Sequence, residues 1–267
     1  MATMTSSGEV RSKAVSSAHS TAATPYSWIW LLVAAVCFMF SNGVNNIALA
    51  AWLGPLFLLR FLRTKPAPIG LFTAYCILIA TRAFSHRGMI PIPGIYYYIF
   101  LLISGVSAVM PYLLDRLMTG RIGGLTKTFI FPTALVAVEF LSSHGPAGSW
   151  SSSAYSQYGN LPLLQLLAVC GLSGITFLIG WFAAVANSIW EEGITRRAMR
   201  WGAVFSMVYL SIILLGEARL GIFPPSSATV RVASLSRPKY GPQLREAVFR
   251  DVRENKGTVD EIADYSA

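Results

Sequence analysis

The sequence predicts an all-α polytopic membrane bundle of about seven transmembrane helices, followed by a short polar segment. Of its 267 residues, 54% are hydrophobic and only 12% are charged. That charged fraction is about half the ~25% of an ordinary soluble domain. The apolar residues are also grouped into runs that approach the ~20 residues needed to cross a bilayer. Because the backbone must hydrogen-bond internally within lipid, these runs are predicted as helices.

Seven apolar runs follow one another and are separated by turn-forming residues. The runs cover about residues 26–41, 44–62, 69–83, 95–114, 128–141, 163–189 and 201–216. Asn42-Gly43 and Pro93-Gly94 lie between runs, where such dipeptides indicate turns. The pattern therefore predicts seven helical spans connected by short loops.

Two polar regions flank the predicted transmembrane domain, which covers residues 27–218. Residues 1–26 are rich in Ser, Thr and Ala, a composition typical of a disordered tail. Residues 229–235 alternate like a half-buried strand, and an amphipathic helix is predicted to begin near Gly241. A strand and one helix cannot bury their apolar faces alone, so residues 229–267 are predicted to be the incomplete beginning of an α/β domain.

Basic residues are concentrated at alternate ends of the runs. Eleven lie in the N-terminal tail and after the second, fourth and sixth runs, whereas Arg82 and Arg87 lie in the opposite short loops. The eleven are Arg11, Lys13, Arg60, Arg63, Lys65, Arg116, Arg121, Lys127, Arg196, Arg197 and Arg200. Because cytosolic loops carry the excess of Lys and Arg, we predict a cytosolic N-terminus and a C-terminal segment on the non-cytosolic side. The net charge of +9 fits this orientation, and no basic-aromatic module indicates a nucleic-acid partner.

Three cysteines lie within or beside the apolar runs. Cys37, Cys76 and Cys170 have no C-x-x-C spacing. They are predicted to be small buried hydrophobes. We expect neither a disulfide framework nor a metal site from them.

The most specific pattern lies between residues 131 and 186. Its elements are Phe131-Pro132, Glu139-Phe140-Leu141, Ser149-Trp150, Ala154-Tyr155-Ser156-Gln157, Gln165, Gly171 and Gly174. This pattern resembles the membrane domain of the apolipoprotein N-acyltransferase family. In that family a Pro-aromatic span carries Glu before an aromatic residue and Leu, and a Tyr-Ser-Gln element and a Gln-containing helix follow. Ser142, Ser149 and Ala154 depart from the family's Arg, Pro and Gly at these positions.

The resemblance implies acyl transfer from a membrane phospholipid to a lipidated protein acceptor, with no metal or dissociable cofactor. It also implies that residues 229–267 begin a nitrilase-like domain, in which a Glu, a Lys and a Cys perform catalysis. No residue of this sequence matches those three, so no catalytic residue is predicted and the chain is expected to be inactive alone. The alternative is a non-catalytic lipid-binding or scaffold membrane protein.

Six residues of the pattern are candidates for binding lipid or substrate: Glu139, Trp150, Tyr155, Ser156, Gln157 and Gln165. An ionisable group within a span is costly, so Glu139 is expected to position a lipid headgroup or to hydrogen-bond a neighbouring helix. The four residues from Trp150 to Gln157 are expected to admit lipid, or to act as an interfacial aromatic anchor. Gln165 is expected to contribute to binding or to hydrogen-bond between helices.

Overall fold

The computed structural model describes residues 26–43, 46–86, 94–145, 148–150 and 152–223, which form a helical bundle. Most of the predicted tail and the predicted nitrilase-like beginning at 229–267 lie outside the described residues. The helices are α1 (Ser27–Met39), α2 (Ala48–Arg63), α3 (Ala67–Ser85), α4 (Ile95–Met118), α5 (Lys127–Ser143), α6 (Leu161–Leu164), α7 (Leu167–Glu192) and α8 (Arg196–Ile222). Two 3₁₀ turns, Gly124–Thr126 and Ser153–Gln157, precede α5 and α6. No strand occurs within these ranges.

Five of the described helices are long and apolar enough to cross a membrane. They are α3, α4, α5 with its preceding 3₁₀ turn, α7 and α8. The apolar helix α1 has 13 residues and α2 has 16, so both are shorter than these five. Helices thus occur at all seven predicted runs, and five of them have the length and composition of membrane spans.

The outer surface of the bundle is apolar. Only 11% to 28% of the apolar windows of α3, α4, α5 and α8 is buried, against 50% for α7. Phe72, Leu102 and Leu215 are 69%, 51% and 70% exposed. Lipid tails are as apolar as leucine, so such side chains are at no disadvantage in a bilayer. This surface is that of a membrane protein.

Helix α2 lies at the centre of the bundle. It packs against α1, α3 and α7. Leu58, Leu59 and Phe61 are almost completely buried and belong to a core shared with α1, α3, α4, α5 and α7. A second core forms where α7 meets α8, around Trp181 and Phe205. Because its neighbours cover it, α2 is shielded from the surroundings of the bundle.

The sixth predicted run is divided in the structure. Its first residues form the short helix α6, and α7 is interrupted at Gly171, where φ is 59° and ψ is −163°. Only glycine adopts this backbone conformation readily, because it has no Cβ. Hydropathy predicted one continuous span here, since apolar residues on both sides of Gly171 continue the same pattern.

Ionic contacts fasten one end of the bundle. Arg63 at the end of α2 lies 2.7 Å from Asp115 of α4 and 3.2 Å from Glu191 of α7. Lys127 at the start of α5 lies 2.9 Å from Glu192 of α7. These are the helix ends at which the sequence places most of its basic residues. The structure brings those ends together, while the side of the membrane that they face stays a prediction.

Candidate functional site

An inner cavity of about 740 Å³ lies between α3, α4, α5 and α7. Most of its wall is apolar, with Leu78, Ile99, Ile103, Leu135 and Leu172 among the lining residues. Its polar lining includes Arg82, His86, Glu139, Ser104, Ser152, Ser153 and Thr176. The volume falls within the ~300–1,000 Å³ typical of small-molecule pockets. An apolar wall with a few polar groups suits a ligand that is itself amphiphilic.

Glu139 on α5 is a half-buried carboxylate that binds the loop before α6. Its Oε1 accepts from the Ser153 amide at 3.0 Å and from the Ser153 hydroxyl at 2.6 Å. Its Oε2 accepts from the hydroxyls of Ser152 and of Thr176 on α7, each at 2.8 Å. A carboxylate has about four acceptor positions, and these four donors occupy them. Glu139 therefore joins α5, α7 and the loop.

These contacts bear on both interpretations of Glu139. The bond to Thr176 is the interhelical hydrogen bond that the structural interpretation describes. Glu139 also lies in the cavity wall, which is where a residue that positions a lipid must lie. Its acceptor positions are already occupied, so any effect on a ligand is exerted through the loop it holds.

Arg82 is a cavity residue that the sequence interpretation assigned to a loop. It lies in the last turn of α3 and donates through Nη1 to the Ser104 carbonyl of α4 at 2.7 Å. Arg82 and Glu139 carry opposite charges in the wall of the same cavity, but no ion pair joins them among the described residues. The missed signal was an ionisable residue continuing an apolar run, which in a membrane segment indicates function.

His86 follows the last residue of α3 and is only 5% exposed. Its ring lies against the Trp150 ring, with centroids 4.8 Å apart. Its Nδ1 has no hydrogen-bond partner in the part of the chain that the structure describes. Buried polar atoms are normally paired, so an unpaired one in a cavity wall is a candidate for ligand contact. The sequence pattern did not single out His86.

We expect His86 to make folding stability depend on pH. Burial, and then the charge of Arg82, lower the pKa of His86 to about 4, whereas an unfolded histidine titrates near 6.5. The unfolded chain therefore binds the proton first as the pH falls. The free energy of unfolding that the neutral ring contributes is complete above about pH 6.5 and is lost as the pH falls towards 4. Thermal unfolding in detergent should show a loss on the order of 2 kcal/mol between pH 7 and pH 4.

Two variants test this assignment. His86→Phe should lack that component of the pH dependence, whereas His144→Gln should keep the slope of the parent chain because His144 is exposed. Identical slopes in His86→Phe and the parent would show that His86 does not carry the effect.

An outer pocket of about 500 Å³ adjoins the inner cavity. Its lining residues are Asn42, Gly43, Asn46, Ser149, Trp150, Tyr155 and Tyr158. Asn42 and Ser149 line both spaces. The Tyr155 hydroxyl lies 2.8 Å from the Ser149 hydroxyl, and both aromatic rings of the predicted motif are partly exposed. Trp150 and Tyr155 thus lie at the edge of the cavity.

The other three predicted residues lie outside the walls of both spaces. Ser156 and Gln157 are buried, and Gln157 donates to the Ala48 carbonyl at 3.0 Å, which fastens the loop to the start of α2. Gln165 donates to the Leu161 carbonyl at 3.3 Å, within its own short segment. This is the hydrogen bond that the Gln165 side chain makes among the described residues. Gln165 therefore does not hydrogen-bond to any of the long neighbouring helices in that part of the chain. Polar character alone did not predict these partners.

The helices that enclose the inner cavity lie mostly within the part of the chain that matches a known protein family. Residues 16–185 match the model for the apolipoprotein N-acyltransferase N-terminal domain. The chain belongs to this apolipoprotein N-acyltransferase family. The match includes α1 to α6 and most of α7, and it confirms the family predicted from the pattern between residues 131 and 186.

One curated relative of the family is an apolipoprotein N-acyltransferase from Geobacter metallireducens (strain ATCC 53774 / DSM 7210 / GS-15). It is 30% identical to the chain over 186 residues. These cover 64% of the chain and 34% of the relative, so the chain spans about a third of that protein's length. No solved structure matches the chain.

Proposed function

We propose that the chain is the lipid-binding membrane domain of an apolipoprotein N-acyltransferase. The inner cavity would hold an acyl chain of a membrane phospholipid, and the outer pocket would be the side from which substrates approach. The observation that carries the proposal is a largely apolar cavity with a polar cluster in its wall, in which Glu139 binds Ser152, Ser153 and Thr176. Of the six motif residues, Glu139 lines the inner cavity, Trp150 and Tyr155 line the outer pocket, and Ser156 and Gln157 lie in the supporting loop, whereas Gln165 lines neither space.

We further propose that all seven long helices cross the bilayer, with the N-terminus in the cytosol. Helix α2 can be short because its neighbours bury it. Lys65, Arg60 and Arg197 lie over the rings of Trp28, Trp190 and Trp201 at the end that carries the basic residues. Tryptophan is enriched at both membrane interfaces, whereas Lys and Arg are in excess on the cytosolic side, so the cations at this end support the proposed orientation.

The reaction proposed for the family architecture is N-acyl transfer. It breaks an acyl ester of the phospholipid and forms an amide on an amino group of a lipidated protein acceptor. The proton lost by the amine goes to the ester oxygen, so a lysophospholipid is released. The described residues supply binding and positioning groups for the donor lipid, and we assign none of them a catalytic step. The second candidate is a non-catalytic lipid-binding membrane protein. In that protein Glu139 and its four hydrogen bonds would only hold the cavity wall together.

Lipid binding is tested with a phospholipid that carries a photoreactive group on its acyl chain. We expect cross-links to peptides of α4 and α5 in the purified chain. Ser107→Trp should lower the yield at least fivefold because it fills the inner cavity, which Ser107 lines. Val106→Trp is the matched control, since Val106 is 48% exposed and lies outside the lining. Equal yields for the two variants would contradict lipid binding in the cavity.

The two candidates are separated by fusing the chain to the C-terminal part of an active apolipoprotein N-acyltransferase, since the described residues supply no catalytic step, and by supplying labelled phospholipid and a diacylated lipopeptide. Label recovered in amide linkage on the lipopeptide supports the transferase. Cavity cross-linking without transfer supports the lipid-binding protein.

A further inference from the structure

We propose that Arg82 and His86 form a phosphate subsite of the inner cavity. They would hold the phosphate of a lipid whose acyl chain lies along the apolar wall. The inference rests on the lipid binding proposed above and names the residues that select the lipid.

Arg82 has the donors that such a subsite requires. A guanidinium offers five N–H donors in a planar fork, and among the described residues the Arg82 guanidinium makes one hydrogen bond, to the Ser104 carbonyl. That bond fixes the side chain against α4 and leaves further donors at the cavity wall. Arginine pairs with phosphate oxygens in a two-point contact that lysine cannot copy. The group is thus held in place before a ligand binds.

His86 supplies a second polar group on the same face. It lies four residues after Arg82, and residues four apart are neighbours on a helical surface. It is 5% exposed, its Nδ1 has no partner among the described residues, and the Trp150 ring covers it. A neutral imidazole can place an N–H on a phosphate oxygen through this atom. Arg82 and His86 can therefore contact two oxygens of one tetrahedral group.

Glu139, the other charged residue of the inner wall, does not compete for the ligand's cationic groups. Its oxygens accept from Ser152, Ser153 and Thr176, which fills the carboxylate's acceptor positions. The polar end of the cavity thus presents spare donors and no spare acceptor on a carboxylate. The spare donors of Arg82 and His86, rather than the net charge of the wall, would therefore recognise phosphate oxygens, because Glu139 balances the charge of Arg82.

The rest of the wall distinguishes a lipid phosphate from free phosphate. Beyond Arg82, the cavity is lined by apolar side chains of α3 and α4, including Leu78, Ile99 and Ile103. Covering these with an acyl chain gains about 25 cal/mol for each Å² removed from water. Inorganic phosphate gains nothing from them. We therefore infer that the ligand is an amphiphile that carries both a phosphate group and an acyl chain.

The test measures lipid retention by native mass spectrometry on the full chain, purified in neutral detergent. The probes are phosphatidylglycerol, diacylglycerol with the same acyl chains, and inorganic phosphate as a competitor. We expect phosphatidylglycerol to bind at least tenfold more tightly than diacylglycerol, and Arg82→Gln to remove most of that ratio. Arg121→Gln should retain it, since Arg121 is exposed and outside the cavity wall.

The outcomes separate the inference from the proposed function. Equal binding of the two lipids by the parent chain, or an undiminished ratio in Arg82→Gln, would overturn the phosphate subsite but leave lipid binding intact. Displacement of phosphatidylglycerol by micromolar inorganic phosphate would show that the subsite binds free phosphate rather than the phosphate of a lipid. Failure of both lipids to bind would overturn the proposed function itself. The parent-chain comparison needs no variant, so it decides the question even where Arg82→Gln does not fold.

Discussion

Glu139→Ala is expected to destabilise the bundle by about 4 kcal/mol, because it leaves four donors without an acceptor. Removing the partner of a buried donor costs about 1–3 kcal/mol. The hydroxyls of Ser152, Ser153 and Thr176 can rotate to other acceptors, whereas the Ser153 amide cannot. The cost should therefore be below the full sum. Denaturation in mixed detergent micelles measures the loss, and hydrogen exchange at the Ser153 amide locates it.

The matched control is Glu217→Ala, since Glu217 is exposed on α8. It should change stability by less than about 0.5 kcal/mol. Glu139→Gln should lie between the two, because the amide keeps one acceptor oxygen but loses the charge. Equal stability of the Glu139→Ala and Glu217→Ala variants would show that Glu139 does not fasten the loop.

Gly216→Ala should cost about 3 kcal/mol and displace the short helix α6. A Cβ at Gly216 would lie 2.8 Å from the carbonyl carbon of Pro162, closer than side chains approach backbone. The contact is with backbone, so rotating a side chain cannot relieve it. Overpacking of this kind costs about 1–3 kcal/mol and occasionally more. Thermal unfolding measures the loss.

Gly221→Ala is the control on the same helix. Among the described residues, a Cβ there meets no atom within 4 Å, and alanine in a helix is about 0.5–1 kcal/mol more favourable than glycine. Gly221→Ala should therefore stabilise the chain slightly. If both variants shift stability in the same direction, packing against Pro162 is not what requires glycine at position 216.

The sequence predicted the elements that depend on local pattern. Hydropathy correctly predicted the first helix, α1, and the last, α8, near residues 28 and 201. An apolar run is visible in the sequence itself, so its position needs no knowledge of packing. The motif around Glu139 predicted the family and a residue of the inner cavity wall. The same pattern could not supply the partners of Glu139, because Thr176 lies 37 residues further along the chain.

Arg82 and His86 show why the rest of the site was missed. Both lie at or just after the end of the predicted run 69–83, and Arg82 was counted with the short loop that follows it. In the structure Arg82 belongs to the last turn of α3 and lines the cavity. His86 becomes a cavity residue only because Trp150, from a distant loop, covers it. One-dimensional patterns contain no information on such packing.

The interruption of α7 at Gly171 bears on the thickness of membrane that this protein fits. Where a helix is interrupted, backbone groups lose their regular partners, and hydrocarbon offers no replacements. The edge of the hydrocarbon layer should therefore lie at Gly171 or on its C-terminal side. From Leu172 to Trp190, before the ion-paired Glu191 and Glu192, about 19 residues remain, a helix of roughly 28 Å at 1.5 Å per residue. That is close to the ~30 Å of a typical bilayer core, so we expect Gly171 to lie at the depth where the lipid begins.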